Sequence, residues 1–211
     1  MYFKYIQIMK RIFILTTAIF LAFNIFSQSE ENIRKETFNS NAFGWEEIVT
    51  KKKSALIQDG YLVLKATAKD PITITTRFPM DVQRSFKITA KFLLPQYKFG
   101  SPVFGIVFDE PDAIRRFVIG NFVDGKKLKH GAVLNVNGKV ETMAMPFNFS
   151  KKNAEVIITI ENRGGTLSFS VNGMTVFTDV KISLNTSNWG FAVAGGEVKV
   201  DEIIICQVAE Y

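Results

Sequence analysis

The sequence predicts an all-β domain, a sandwich or a barrel, on two observations. After residue 35 the chain shows no amphipathic helical period; short runs rich in β-branched and aromatic residues alternate with turn residues instead. The 20 phenylalanines suit a thick core between two packed sheets.

The expected strands are 54–58, 61–66, 72–78, 85–94, 103–108, 116–122, 132–136, 154–161, 167–171, 175–178, 190–194 and 198–207. The turns between them have physical causes. Asp59-Gly60, Asn137-Gly138 and Asn172-Gly173 are Asx-Gly pairs, which tolerate positive φ and close two-residue hairpins between right-twisted strands. Asn162-Arg163-Gly164-Gly165 closes another hairpin, and Asp70-Pro71 and Gly195-Gly196 mark further reversals. Nearly every connection is short, so the sheets are expected to be antiparallel.

Alternation assigns the faces. Phe86, Ile88 and Ala90 oppose Lys87, Thr89 and Lys91; Leu167, Phe169 and Val171 oppose Thr166, Ser168 and Ser170. Such strands have one face on the core and one in water. By contrast, 103–108 and 117–119 are apolar on both faces, which places them at the centre of a sheet with something lying over it. Residues 29–35 read as a polar lead-in, and 36–211 as one domain without an internal repeat or a linker.

Residues 1–28 read as a secretory signal peptide. Lys4, Lys10 and Arg11 precede an apolar run over 12–26, and the small polar residues Ser27 and Gln28 follow it. That run has 15 residues, whereas a membrane-spanning helix needs about 20. The cut is expected after Ser27 or Gln28, and the Phe26-Ser27-Gln28 ending is similar to that of a Bacteroidetes signal peptide. The mature chain would be exported, whether periplasmic, surface-associated or secreted, with no membrane span of its own.

Removal of that segment changes the charge balance. It takes three of the 26 basic residues and none of the 20 acidic ones, leaving 23 against 20. No basic stripe remains, so a nucleic-acid partner is not expected. Cys206 is the single cysteine, so no intrachain disulfide can staple the fold. About 180 residues bury roughly 70% of their unfolded surface, enough for a core without covalent help. Within the apolar run 203–206, Cys206 is expected to be a buried structural thiol.

The order of motifs is that of a known superfamily. Phe38 is followed seven residues on by Trp45, then by Asp59-Gly60-Tyr61-Leu62 before a strand. Near the other end a hairpin, Asn172-Gly173, a short strand and Trp189-Gly190-Phe191 lead into the closing strand. Over about 36–207 this resembles concanavalin A-like domains, the laminin-G-like and glucanase-like jelly rolls. The resemblance implies an antiparallel two-sheet jelly-roll sandwich, with Trp45 and Trp189 buried and the closing strand paired beside an opening one at 36–39. It also implies a glycan or protein ligand at the concave sheet or its rim. Glucanase relatives carry Glu-x-Asp-x-Glu along one strand face, and no such run occurs here. The opening is similar to that of 3-keto-disaccharide hydrolase domains as well, but the Asn-Ser-Gly-Ile segment of those enzymes is replaced by 101–106, where only Gly105-Ile106 agrees.

The chemistry-bearing residues are few. Asp109-Glu110-Pro111-Asp112 is the densest acidic group, and its proline interrupts strand geometry, so a solvated turn is expected. A glycosidase needs two carboxyls about 5 to 9.5 Å apart across the scissile bond. The same oxygens would suit calcium, but the Asp-x-Asp-x-Asp-Gly spacing is missing, so no cofactor or metal is expected. His130 is the single histidine, which removes a multi-histidine zinc site. On the middle strands Arg116, Asn121, His130 and Asn135 are polar groups interleaved with Phe117, Phe122 and Val133. These four, with Asp109, are the expected ligand contacts on the concave sheet. The functional expectation is a non-catalytic exported domain that recognises a glycan or a cell-envelope protein. A sugar-active hydrolase of the same fold and a structural envelope module are the alternatives.

Overall fold

The computed structural model describes residues 30–77, 79, 81–94, 102–109, 113–124, 127–144, 154–181 and 188–208. The expected signal peptide, residues 1–28, lies outside them. Among the described residues there is no helix, and hence none long and apolar enough to cross a membrane.

Two antiparallel sheets make up the fold. The first contains β1 (Glu30–Glu36), β2 (Ile48–Val49), β3 (Lys53–Gln58), β4 (Tyr61–Ala66), β6 (Phe86–Leu94), β11 (Ala154–Arg163), β12 (Thr166–Val171), β13 (Met174–Lys181) and β15 (Gly196–Val208). The second contains β5 (Ile72–Arg77), β7 (Val103–Asp109), β8 (Ile114–Asp124), β9 (Lys127–Val136), β10 (Lys139–Ala144) and β14 (Asn188–Ala194). The strand order is β13-β12-β11-β6-β15-β4-β3-β2 in the nine-stranded sheet, where β1 also pairs with β15, and β10-β9-β8-β7-β14-β5 in the six-stranded one. The chain is therefore the two-sheet sandwich that the motif order implies.

The Asx-Gly hairpins form as their chemistry requires. Asn137 (φ 49°) and Gly138 (φ 83°), like Asn172 (φ 50°) and Gly173 (φ 76°), both sit in the left-handed region that a type I′ turn needs. Asparagine adds a second function there. The Asn137 Oδ1 accepts from Ile114 N at 2.8 Å while Asn137 N donates to Ile114 O at 3.0 Å. Asn172 makes the same pair of bonds with Ile157, both at 2.8 Å. Each turn thereby docks onto a third strand and satisfies backbone groups at its edge.

The core is aromatic and lies between the sheets. Trp45 stacks on Phe191 (5.2 Å) and meets Trp189 edge-on (5.6 Å). Phe191 in turn meets Phe92 at 5.5 Å and Trp189 at 5.7 Å. A second row runs Phe86–Phe108–Phe117–Phe169–Phe177 with spacings of 6.4, 6.3, 5.7 and 5.8 Å. Trp45 and Trp189 are both buried, as the resemblance implies. Cys206 is buried in β15.

Trp45 reaches the core from a loop, and polar groups hold that loop. The buried Glu36 carboxylate accepts from Phe38 N (3.0 Å) and Phe43 N (2.9 Å), one bond on each oxygen. Asn41 clamps Trp45 through both backbone groups, its Nδ2 donating to Trp45 O (2.8 Å) and its Oδ1 accepting from Trp45 N (2.6 Å). The Thr76 hydroxyl donates to Phe43 O. A buried charge is tolerated because each of its oxygens has a donor.

Three elements differ from the expectation. Residues 30–35, expected as part of a polar lead-in, lie in a strand: Glu30–Glu36 is β1, and Glu36 pairs with Ile203 and Glu30 with Val208. The opening strand is this one rather than 36–39. Its ladder uses backbone groups alone, and its apolar Ile33 is 56% exposed, so no alternating pattern announces it. The short β2 and the six-residue β10 were likewise absent from the expected strands.

Outward, the nine-stranded sheet is charged. Lys91 bridges Glu155 (3.0 Å) and Asp201 (3.1 Å) across three strands. Hydrogen bonds to Glu155 first and Asp201 second raise the Lys91 pKa above the ordinary lysine value. Lys199 lies over the Tyr61 ring at 5.2 Å.

Candidate functional site

The outward face of the six-stranded sheet is different in kind. Strand pairing fixes which residues occupy it. Phe104, Ile106 and Phe108 of β7 and Phe117 and Ile119 of β8 turn into the core. The period of two therefore turns Val107, Arg116 and Val118 outward. Two adjacent rows result. One runs Thr75–Gly190–Val107–Arg116–Asn135–Val140, and the next Thr73–Ala192–Gly105–Val118–Val133–Met143. Val107, Val118, Val133 and Ala192 are buried although they point away from the inter-sheet core. This matches the two-faced apolar character of the central strands.

A cavity of about 410 Å³ opens over these rows. All six strands or their turns line it, from Pro71 and Thr73 at one end to Gly138 and Val140 at the other. A depression crossing five inter-strand spacings of about 4.8 Å is roughly 24 Å long and makes this the concave face. The floor is small and aliphatic: Val118, Val133 and Ala192.

Two glycines let the strands beneath it approach closely. A Cβ on Gly105 would lie 2.0 Å from the Phe117 carbonyl oxygen, and one on Gly190 would lie 1.9 Å from that of Ile74. Only glycine lets neighbouring backbones approach so closely in a strand.

Polar groups stand over the aliphatic floor. Arg116 pairs across the ladder with Asn135 and is half-buried. Among the described residues its guanidinium makes no ion pair and no hydrogen bond. The Asn135 Oδ1 accepts from Gly138 N (3.0 Å), which ties that side chain to the β9–β10 turn and leaves its two amide hydrogens outside that bond. Thr73 adds a hydroxyl at the far end.

The structure divides the five expected contacts. Arg116 and Asn135 line the cavity. Asp109 ends β7 two residues beyond Val107, on the same face and diagonal to Arg116 through the pair Asp109–Ile114. Its acidic neighbours Glu110 and Asp112 lie outside the described residues, so the suggested calcium cluster does too. Asn121 and His130 pair with each other further along the ladder, in the register of the core-facing positions Phe117, Ile119, Ala132 and Leu134. Pairing register thus sets them apart from Arg116 and Asn135; their side chains lie outside the described residues. Sequence reasoning did not select Thr73, Val118 or Ala192. The signal for Thr73 was present in the alternation of Ile72, Thr73 and Ile74, and the both-face apolar strands pointed to the other two.

No protein-family model matches the chain, and no curated protein matches it in sequence. Solved structures share its architecture. A protein of unknown function with a galectin-like fold from Bacillus subtilis superposes with a TM-score of 0.62 at 12% identity, over 87% of this chain and 100% of that one. The carbohydrate recognition domain of Emp46p, in its metal-free form, gives 0.61 at 8% identity, over 81% and 93%. A GH43 protein from Bacillus licheniformis gives 0.57 at 13% identity over 82% of this chain, which spans only 39% of that larger protein. At these identities the likeness shows the fold alone: an antiparallel two-sheet jelly-roll sandwich.

Proposed function

We propose that this is an exported, non-catalytic domain whose concave six-stranded face binds a glycan. The observation that carries the reading is the cavity: a long aliphatic floor bordered by Arg116, Asn135 and Thr73. Sugars have apolar C–H faces and hydroxyl edges, and a site for them combines such a floor with a few placed polar groups. Trp45 and Trp189 serve the core, so the valines take the role an aromatic platform would have. The carbohydrate recognition domain among the structural neighbours supports the same reading.

A hydrolase is the second reading, favoured by Asp109 on the same face. One experiment separates the two. The purified protein is run on gels containing dextran, laminarin, xylan, polygalacturonate or dextran sulfate, and the same polysaccharides are assayed for released reducing ends. Binding predicts retardation by at least one polysaccharide and no reducing ends. Reducing ends that disappear in Asp109→Asn would replace the binding reading with hydrolysis, and no retardation by any polysaccharide would remove it.

Export rests on the basic residues and the apolar run of 1–28. A cut after Ser27 or Gln28 also leaves β1 whole, since that strand begins at Glu30. N-terminal sequencing of protein expressed from the full chain should begin at Gln28 or Ser29; recovery of an intact Met1 contradicts export.

A further inference from the structure

The cavity has a charge asymmetry that a site for neutral sugars does not need. Arg116 is its single charged lining residue among those described, and no carboxylate lines it. Elsewhere several of the described cations are matched by carboxylates. Lys91 has Glu155 and Asp201, Lys35 has Glu202, Lys53 has Asp70, and Arg163 has Glu161. Arg116 makes no such contact among the described residues, although Asp109 stands diagonal to it on the same face. A half-buried guanidinium in a groove is partly desolvated, and its planar fork matches the paired oxygens of a carboxylate or sulfate. The strand-paired Asn135 adds amide hydrogens beside it, and these also donate to an anion.

We propose that the groove selects an anionic glycan, one bearing carboxylate or sulfate groups, and that Arg116 is the anion contact. This rests on the glycan-binding reading and goes further by naming the class of sugar. The valine floor then takes the pyranose faces, and the charged substituent points to β8 and β9. Because Arg116 has no partner to lose among the described residues, its substitution should leave the fold intact.

The test uses matched backbones on affinity gels: dextran, carboxymethyl dextran and dextran sulfate, with polygalacturonate and laminarin as natural acidic and neutral polymers. The charged polymers should retard the protein and the neutral ones should not. Carboxymethyl dextran and polygalacturonate against dextran sulfate tells uronate from sulfate. Arg116→Gln should weaken retardation about tenfold or more, the loss expected for a charge-assisted contact. Arg116→Lys should retain part of it, and the hairpin variant Arg163→Gln should behave as wild type. An unchanged melting temperature in Arg116→Gln shows that the loss is not unfolding. Equal retardation by neutral polymers, or full binding by Arg116→Gln, overturns the anionic inference and leaves glycan binding standing. No retardation by any polymer overturns both.

Discussion

Phe191→Ala is expected to cost about 4 kcal/mol, the middle of the range for removing a buried aromatic ring from a packed core. In a domain of this size that lowers the melting temperature by roughly 8–16 °C. The size of the effect follows from position. Phe191 is fully buried and touches three other rings, Trp45, Phe92 and Trp189, which come from a loop and from strands of both sheets. With no disulfide available, these contacts and the second aromatic row hold the sheets together. Ile33→Ala is the comparison, because Ile33 is a large apolar residue on an exposed position. Its cost should stay within about 0.5 kcal/mol. Thermal unfolding of the two variants checks the contrast; equal shifts would contradict the placement of Phe191.

Gly105→Ala should be comparably damaging, although it adds one methyl group. Overpacking in a core typically costs about 1–3 kcal/mol because side chains can shift. Here the added carbon would lie 2.0 Å from the Phe117 carbonyl oxygen and 2.8 Å from Val118 Cα, so backbone must move. Strands β7 and β8 would separate, and Val118 and Arg116 would move with them. The expected outcome is a protein that fails to fold or loses more than about 3 kcal/mol. Gly44→Ala separates steric from conformational effects. Gly44 has φ of 69° but open space around it, so its cost should be limited to about 1–2 kcal/mol of left-handed strain. A Gly105→Ala protein as stable as wild type would mean that the two strands do not approach as described.

Much of the fold was legible because its signals are local. The Asx-Gly pairs fixed the β3–β4, β9–β10 and β12–β13 hairpins, and alternation in β6 and β12 assigned core and solvent faces correctly. β1 was not legible, because Glu30–Glu36 has no alternation and depends on the ladder that β15 offers it. The candidate cavity was partly legible: Arg116 and Asn135, which line it, were among the expected contacts, together with Asn121 and His130, which pair further along the ladder. Arg116 and Asn121 are five positions apart on one strand, and so are His130 and Asn135. An odd separation puts residues on opposite faces of an unbroken strand. That parity was present in the sequence. What was missing was knowledge that β8 runs unbroken from Ile114 to Asp124, through Gly120. The floor of the cavity needed the structure, because it is assembled from Val118, Val133 and Ala192 on three separate strands.

The central claim is that the concave six-stranded face, and not the charged face of the other sheet, holds the ligand. Amide chemical-shift mapping tests it most directly. The labelled protein is titrated with fragments of the polysaccharide that retards it most on the affinity gels. Shifts should concentrate at Thr73, Val118, Val133, Asn135 and Ala192. Shifts centred instead on Tyr61, Lys91 and Lys199, with the cavity residues unmoved, would contradict the claim.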